Sequence, residues 1–141
     1  MNIDQLIAQT QKNLDDKTRR IMIEVGARLV MRSPVGDASY WNPPTAPKGY
    51  AGGRFKANWQ HGFGDYPSAY FKMEDKTGHA SESRMNSGVN RTPAAGIHYF
   101  VNNVPYARRI EDGWSRRQAP KGVVKLTSLE WHSIVEMAGN S

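Results

Sequence analysis

The chain has no cysteine, which removes disulfides, thiolate nucleophiles and thiolate metal sites together and points to assembly in a reducing cytoplasm. Long apolar runs are missing too. None approaches the roughly 20 residues that span a bilayer, and the amino terminus opens with Asn2, Asp4 and Gln5 where a signal peptide shows a basic and then an apolar stretch. Neither a membrane span nor a secretory leader is expected. The four histidines, His61, His79, His98 and His132, are far apart and lack the paired spacing of zinc sites, so they read as surface or sheet residues. Serine is plentiful, but there is no Gly-x-Ser-x-Gly elbow and no recognisable Ser, His and Asp order. Glu111 and Asp112 are adjacent, and neighbours on a helix point about 100° apart, which is poor geometry for a shared acid–base site. They are better read as a cap, or as ion-pair partners of Arg108 or of an arginine from a neighbouring subunit. No catalytic residue, metal site or cofactor is expected, and an enzyme is the least favoured class.

What remains is a 141-residue chain of net charge +6, with a pI near 9.7 and a mean hydropathy of −0.68. That length fits a single domain spanning residues 1–141, because a chain of about 150 residues buries roughly 70% of its unfolded surface without staples. Thirteen glycines and eight prolines make it rich in turns, so much of it is expected to order against a partner. The basic balance favours polyanions, although net charge bears on association and solubility more than on fold.

Between Asp4 and Arg32 the residues Ile3, Leu6, Ile7, Leu14, Ile21, Met22, Val25, Leu29 and Val30 recur at helical spacing until Pro34, which predicts one long helix or two. Its apolar stripe is dense from Ile21 to Val30 and thin before Arg20. The first turns are therefore expected to overhang the domain as a subunit contact, with a frayed terminus as the alternative. From Ser33 to Gly53 proline and glycine dominate and predict a long loop. Tyr40, Trp41 and Tyr50 within it either dock on a partner or fold back on their own domain. Arg54 to Gln60 alternates as a half-buried strand with Phe55, Ala57 and Trp59 inward. Further strands are expected at Ala69–Met73 and at Ile97–Asn102, the latter with Ile97, Tyr99 and Val101 on one face. Glu74 to Ala95 has little to bury and is expected to be a mobile excursion. A short helix follows Pro105 and stops at Gly113. A last helix runs from Lys121 to Ala138, unless the Thr127-Ser-Leu-Glu130 capping-box pattern delays its start. The expected class is α+β, a small antiparallel sheet packed by a long N-terminal and a C-terminal helix, with long loops.

Arg108, Arg109, Arg116, Arg117, Lys121 and Lys125 form the strongest charge cluster, interleaved with Tyr106 and Trp114. Contact with nucleic-acid phosphate is one reading. A protein interface is the other, since arginine and tryptophan dominate such surfaces and no helix-turn-helix, zinc or RNA-recognition signature accompanies the charge.

Three segments together resemble the tail-completion, or neck, family of tailed bacteriophages. They are Ser33-Pro-Val-Gly-Asp37 with Trp41 and Lys48-Gly-Tyr50; Gly52-Gly-Arg-Phe-Lys-Ala-Asn-Trp59; and Asn102-Asn-Val-Pro-Tyr-Ala107 with Ile110-Glu111-x-Gly113-Trp-Ser115 and Gln118-Ala-Pro-x-Gly122. Residues 74–95 match nothing in the pattern. The resemblance implies a non-enzymatic α+β subunit, assembled in the host cytoplasm and resident in the virion neck, where it forms a homo-oligomeric ring, sixfold in that family. Its partners would be a head-side connector or stopper, a tail-terminator or tail-tube protein, and the double-stranded DNA passing through the lumen, with no membrane. Tyr106, Ile110 and Glu111 would fix the short helix, and Gly113 would turn the chain. The partner surface would comprise Tyr40, Trp41, Tyr50, Arg108, Arg109, Trp114, Arg116 and Arg117, with Trp114 as anchor. Lys121 and Lys125 would face the DNA channel, and Trp59 and Tyr99 would belong to the core. A basic nucleic-acid-binding module is the alternative.

Overall fold

The computed structural model describes residues 1–36, 45–48, 50 and 52–139; Tyr40 and Trp41 lie outside the described residues. The architecture is α+β. A single 30-residue helix, α1 (Ile3–Arg32), is followed by α2 (Arg54–Ala57), strand β1 (Trp59–Phe63), α3 (His79–Arg91), strand β2 (His98–Asn102), α4 (Ala107–Glu111), α5 (Val124–Leu129) and α6 (Trp131–Gly139). The two strands pair antiparallel, with Trp59 opposite Asn102 and Phe63 opposite His98. Helix α3 packs on β1 and on α1, and α1 also carries α5 and α6. The core is the meeting point of Leu29, Val30, Phe55, Trp59, Met85, Val104, Tyr106, Ile110, Ala119 and Val123.

The strand expected at Arg54–Gln60 is a correction. Gly53 enters with φ 87°, one helical turn follows, and the extended ladder begins only at Trp59. Phe55, Ala57 and Trp59 are nonetheless all buried, so the inward set was right while the backbone was not. In β2 the inward face is the opposite of the expected one. Phe100 packs on the core while Ile97 is exposed, and Tyr99 lies over Tyr66 with ring centroids 5.1 Å apart, outside the core assigned to it.

Residues 69–73 form no strand, and the reason is visible in three amides. Asn58 is fully buried; its Nδ2 donates to the carbonyls of Arg54 (2.7 Å) and Phe71 (2.9 Å), and its Oδ1 accepts from the Phe71 N–H (2.7 Å). Gln60 donates to the Ala69 carbonyl at 2.7 Å, and Asn103 to those of Pro67 and Ala69 at 3.0 Å. Side chains thus supply the hydrogen bonds that a neighbouring strand provides in a ladder.

Residues 74–95 are a second correction: the expected mobile excursion contains α3, which is built into the core. Asp75 opens it, its carboxylate accepting from Thr77 Oγ1 (2.9 Å) and from the N–H groups of Gly78 (3.0 Å) and Ala80 (2.9 Å). Burial raises the Asp75 pKa, but these bonds to the charged form outweigh it and leave it below the usual value. Ser81, Met85 and Val89 recur every four residues on the buried face. Gly26 of α1 faces Met85, and Gly88 lies against the His61 ring, where a Cβ would come within about 2.5 Å of Nδ1. The Arg84 guanidinium donates to the Ala57 and Trp59 carbonyls, both at 2.8 Å, and lies over the Phe71 ring. Small residues let α3 approach closely with only two large apolar side chains.

The last helix is two helices, a third correction. Glu130 ends α5, and Thr127 Oγ1 donates to the Val123 carbonyl, so no capping box forms. Instead the Glu130 carboxylate accepts from Arg32 (2.6 Å) and Arg28 (2.9 Å) on α1, while Arg28 also binds Glu24 at 2.9 Å. The Arg32 hydrogen bond is the main reason the Glu130 carboxyl lies below its ordinary pKa, with burial opposing it. Broken at this point, the C-terminal segment bends to lie along α1.

Two half-buried histidines make a relay across the sheet. His98 Nε2 lies 3.1 Å from the Ala94 carbonyl and its Nδ1 lies 2.8 Å from His61 Nε2. A carbonyl only accepts, so His98 carries its proton on Nε2 and His61 donates from Nε2 to His98. Burial, and secondarily His98, pushes the His61 pKa below its ordinary 6.5. The unfolded chain therefore binds the extra proton. Stability from this site is complete above about pH 6.5 and is lost as pH falls through the lower folded value. Urea midpoints measured from pH 7.5 down to 5.5 are expected to fall, and the fall is expected to flatten in His61→Gln. A midpoint that rises on acidification contradicts this assignment.

Candidate partner-docking surface

The segment from Asn102 to Val124 is organised by three locks. The Glu111 carboxylate accepts from the backbone N–H groups of Val123 (3.0 Å), Val124 (2.7 Å) and Lys125 (3.0 Å). An anion here satisfies donors that the first turn of α5 leaves open, so the cap reading of Glu111 holds. Gly113 and Gly122 have φ 87° and 82°, and at either position a Cβ would sit within about 2.6 Å of a carbonyl, that of Pro120 or of Glu111. Third, the Gln118 side-chain amide binds both the N–H (2.7 Å) and the carbonyl of Val35.

These locks bring the three resemblance-bearing segments into one place. Trp59 Nε1 donates to Ser33 Oγ at 2.6 Å, Ser33 in turn donates to the Leu29 carbonyl at 2.6 Å, and Asn102 donates to the Phe55 carbonyl at 2.8 Å. Gly52 lies so close to the Gly36 carbonyl that a side chain there would collide with it. Tyr106 and Ile110 fill the core beneath, and the Tyr50 ring meets Tyr106 edge-on at 5.1 Å. Tyr50 is thus folded back on its own domain.

The basic residues are held on the outside of this frame. Arg108, Arg116, Arg117, Lys121 and Lys125 are exposed and Arg109 is half-buried. Arg109 lies over the Trp114 ring, 5.0 Å from its centroid, and Trp114 packs against the core edge as a half-buried plate. It is a platform for Arg109. Asp112 pairs with Arg108 at 3.4 Å. Lys121 and Lys125 flank a shallow trough that also holds Glu111, Asp112 and Leu129. The positive charge is therefore interrupted by carboxylates and does not converge on one cleft.

Two further surfaces stand out. Helix α1 is capped at its start, Asn2 Oδ1 accepting from the Gln5 N–H (2.8 Å) and Gln5 Oε1 from the Asn2 N–H (3.0 Å). Pairs at i and i+4, Gln9–Asn13, Gln11–Asp15 and Lys12–Asp16, follow along it. Its first fourteen residues are exposed throughout, with Ile3, Leu6, Ile7 and Leu14 exposed by 56–73%. The overhanging terminus is a formed helix. Farther along α1 an apolar hollow of about 260 Å³ is lined by Val25, Leu29, Phe100, Val124, Trp131 and Ile134 among others. A second of about 270 Å³ shares Phe100 and Val124 with it and continues past Phe55 and Trp59 to Arg108. Sequence periodicity places Val25 and Leu29 on the apolar stripe of α1 and Val124, Trp131 and Ile134 on that of the last helix, with Phe100 on the face of its strand opposite Tyr99. Val124 and Trp131 are nonetheless exposed, and no periodic signal announces the break at Glu130 between α5 and α6.

Among the described residues no group of histidines and acids is placed to hold a metal ion, and no helix is long and apolar enough to cross a membrane. Comparisons with protein-family models, with curated proteins and with solved structures find no match to this chain.

Proposed function

We propose that the protein is a structural connector subunit that works by self-association, a component of the neck ring joining head to tail in a tailed bacteriophage. The observation that carries the association is the capped N-terminal arm of α1, whose apolar residues Ile3, Leu6, Ile7 and Leu14 lie open to solvent. An exposed apolar face of this kind marks an interaction site. The neck assignment rests on the sequence resemblance, and with it come a sixfold ring, a stopper and a tail-terminator or tail-tube neighbour, and DNA in the lumen. Arg108, Arg109, Trp114, Arg116 and Arg117 are the residues proposed to meet neighbouring proteins, with Lys121 and Lys125 toward the channel. Only closed, repeated contacts let so small a subunit surround a duplex: the expected radius of gyration for this length is about 14 Å.

Removing the protein from the phage that encodes it tests the assignment. Filled heads and finished tails are expected to accumulate separately, and normal infectious particles without it would overturn the reading. The exposed Arg116, Arg117, Lys121 and Lys125 favour a nucleic-acid-binding module as the second reading. DNA retention across a salt series separates the two. Nanomolar duplex affinity with a steep salt slope supports the module, whereas the connector binds duplex weakly, because an attractive lumen retards the genome.

A further inference from the structure

We infer that the N-terminal arm of one copy docks in the apolar groove between α1, β2 and α5–α6 of the next copy, making a head-to-tail contact. The inference rests on the connector reading and names the two surfaces that reading needs. At 100° per residue Ile3, Leu6, Ile7 and Leu14 fall within an arc of about 100°, the width of a helix stripe that faces a partner. Ile3, Leu6 and Ile7 stand at i, i+3 and i+4, as in an amphipathic helix that fills a hydrophobic groove, and Leu14 lies two turns beyond Ile7 on the same face. The groove is apolar along Val25, Leu29, Phe100, Val124 and Trp131, and Val124 and Trp131 are 51% and 55% exposed. Each of its two hollows is below the roughly 300–1,000 Å³ of small-molecule sites, and they share Phe100 and Val124, which suits a side-chain row better than a compact ligand.

The arm cannot occupy its own groove. Leu14 and Val25 lie on one continuous helix, so the nearest arm anchor is about 16 Å along the axis from the groove at 1.5 Å per residue. The occupant is therefore another copy, and a contact between two different surfaces propagates into a ring or a filament. The exposed arm holds Asp4 against Lys12, and the far end of the groove carries both Arg108 and Glu111, so the contact is an apolar one. Two arms paired with each other would leave both grooves open.

The test is a mixing experiment on the full chain, read as mass by sedimentation or native mass spectrometry. Ile7→Glu spoils the arm and Val124→Glu the groove, and both positions are exposed, so circular dichroism and melting midpoints are expected to stay near those of the parent. Trp131→Glu is a second groove variant should Val124→Glu lose its fold. The parent is expected to assemble with concentration, and each variant alone to need at least a tenfold higher concentration to do so. An equimolar mixture of Ile7→Glu and Val124→Glu is expected to recover pairs but nothing larger, because each pair has one intact arm in one intact groove. The inference is overturned if the parent stays monomeric, if either variant assembles like the parent, or if the mixture forms no pairs. A groove variant that assembles normally beside a monomeric arm variant identifies arm-to-arm pairing instead. None of these failures touches the neck assignment, which is read separately from particles made without the protein.

Discussion

Trp59→Ala is expected to lower the unfolding free energy by about 3–5 kcal/mol, the range for emptying a buried aromatic site. Domains of this kind are stable by only about 5–15 kcal/mol, so the variant is expected to be largely unfolded or insoluble at 37 °C. Trp59 is buried, meets Phe55 edge-on at 5.6 Å and donates its indole N–H to Ser33. That bond joins the end of α1 to the start of β1, and the loop held by Gln118 adjoins Ser33 at Val35. Losing the ring opens a cavity where three chain segments meet. Trp59→Phe separates the two contributions, since it keeps most of the apolar volume and removes the N–H; a loss of about 1–2 kcal/mol is expected for it. Urea denaturation followed by circular dichroism measures both. An unfolding midpoint for Trp59→Ala equal to that of the parent contradicts the core described above.

The second large effect is expected at Asn58. Its amide makes three hydrogen bonds in a fully buried position, and Asn58→Ala leaves two carbonyls and one N–H without those partners. Each such group costs about 1–3 kcal/mol if it stays dry. Because the segment from Asp65 to Met73 can peel away and rehydrate, the expected total is about 3 kcal/mol. Asn58→Asp is the sharper variant. It keeps shape and volume and still accepts from the Phe71 N–H, but cannot donate to the Arg54 and Phe71 carbonyls. A comparable loss is expected, together with faster hydrogen exchange and proteolysis across residues 65–73. A change below about 0.5 kcal/mol, the scale of an ordinary surface substitution, shows that these amides do not hold the segment.

The fold class was legible because its strongest signals are local. The 3.6-residue stripe ending at Pro34 gives α1, the Pro105-to-Gly113 frame gives α4, and the run ending at Asn102 gives β2. What escaped was set by contacts between distant residues. Helix α3 buries Ser81, Met85 and Val89 beside Gly26 and Gly88, and two apolar residues in an otherwise polar segment are too few to read as a periodic stripe. The segment at 69–73 has strand-like composition, but its hydrogen bonds go to Asn58, Gln60 and Asn103, side chains whose role no alternation pattern encodes. The inward face of β2 was misread because aromatic or apolar residues stand on both faces of the run, Tyr99 and Val101 on one and Phe100 on the other, and only the register with His61 and Trp59 decides between them.

The candidate surface was legible in part. Glu111 as a cap and Gly113 as a left-handed stop could be read directly, and the overhanging arm followed from the length of α1. Trp114, expected as the anchor of a partner contact, lies half-buried under Arg109. Tyr50 lies against Tyr106 on its own domain, and Tyr40 and Trp41 fall outside the described residues. The groove was invisible in the sequence because its lining comes from α1, β2, α5 and α6 together, and the break between the last two falls at Glu130, a residue held by Arg28 and Arg32 about a hundred positions away in sequence.

Imaging of the intact particle at side-chain resolution tests the central claim most directly. The account predicts a closed ring of this chain at the head–tail junction, with Arg116 and Arg117 against neighbouring proteins. A neck built entirely of other proteins, or a purified particle from which this chain is absent, contradicts it.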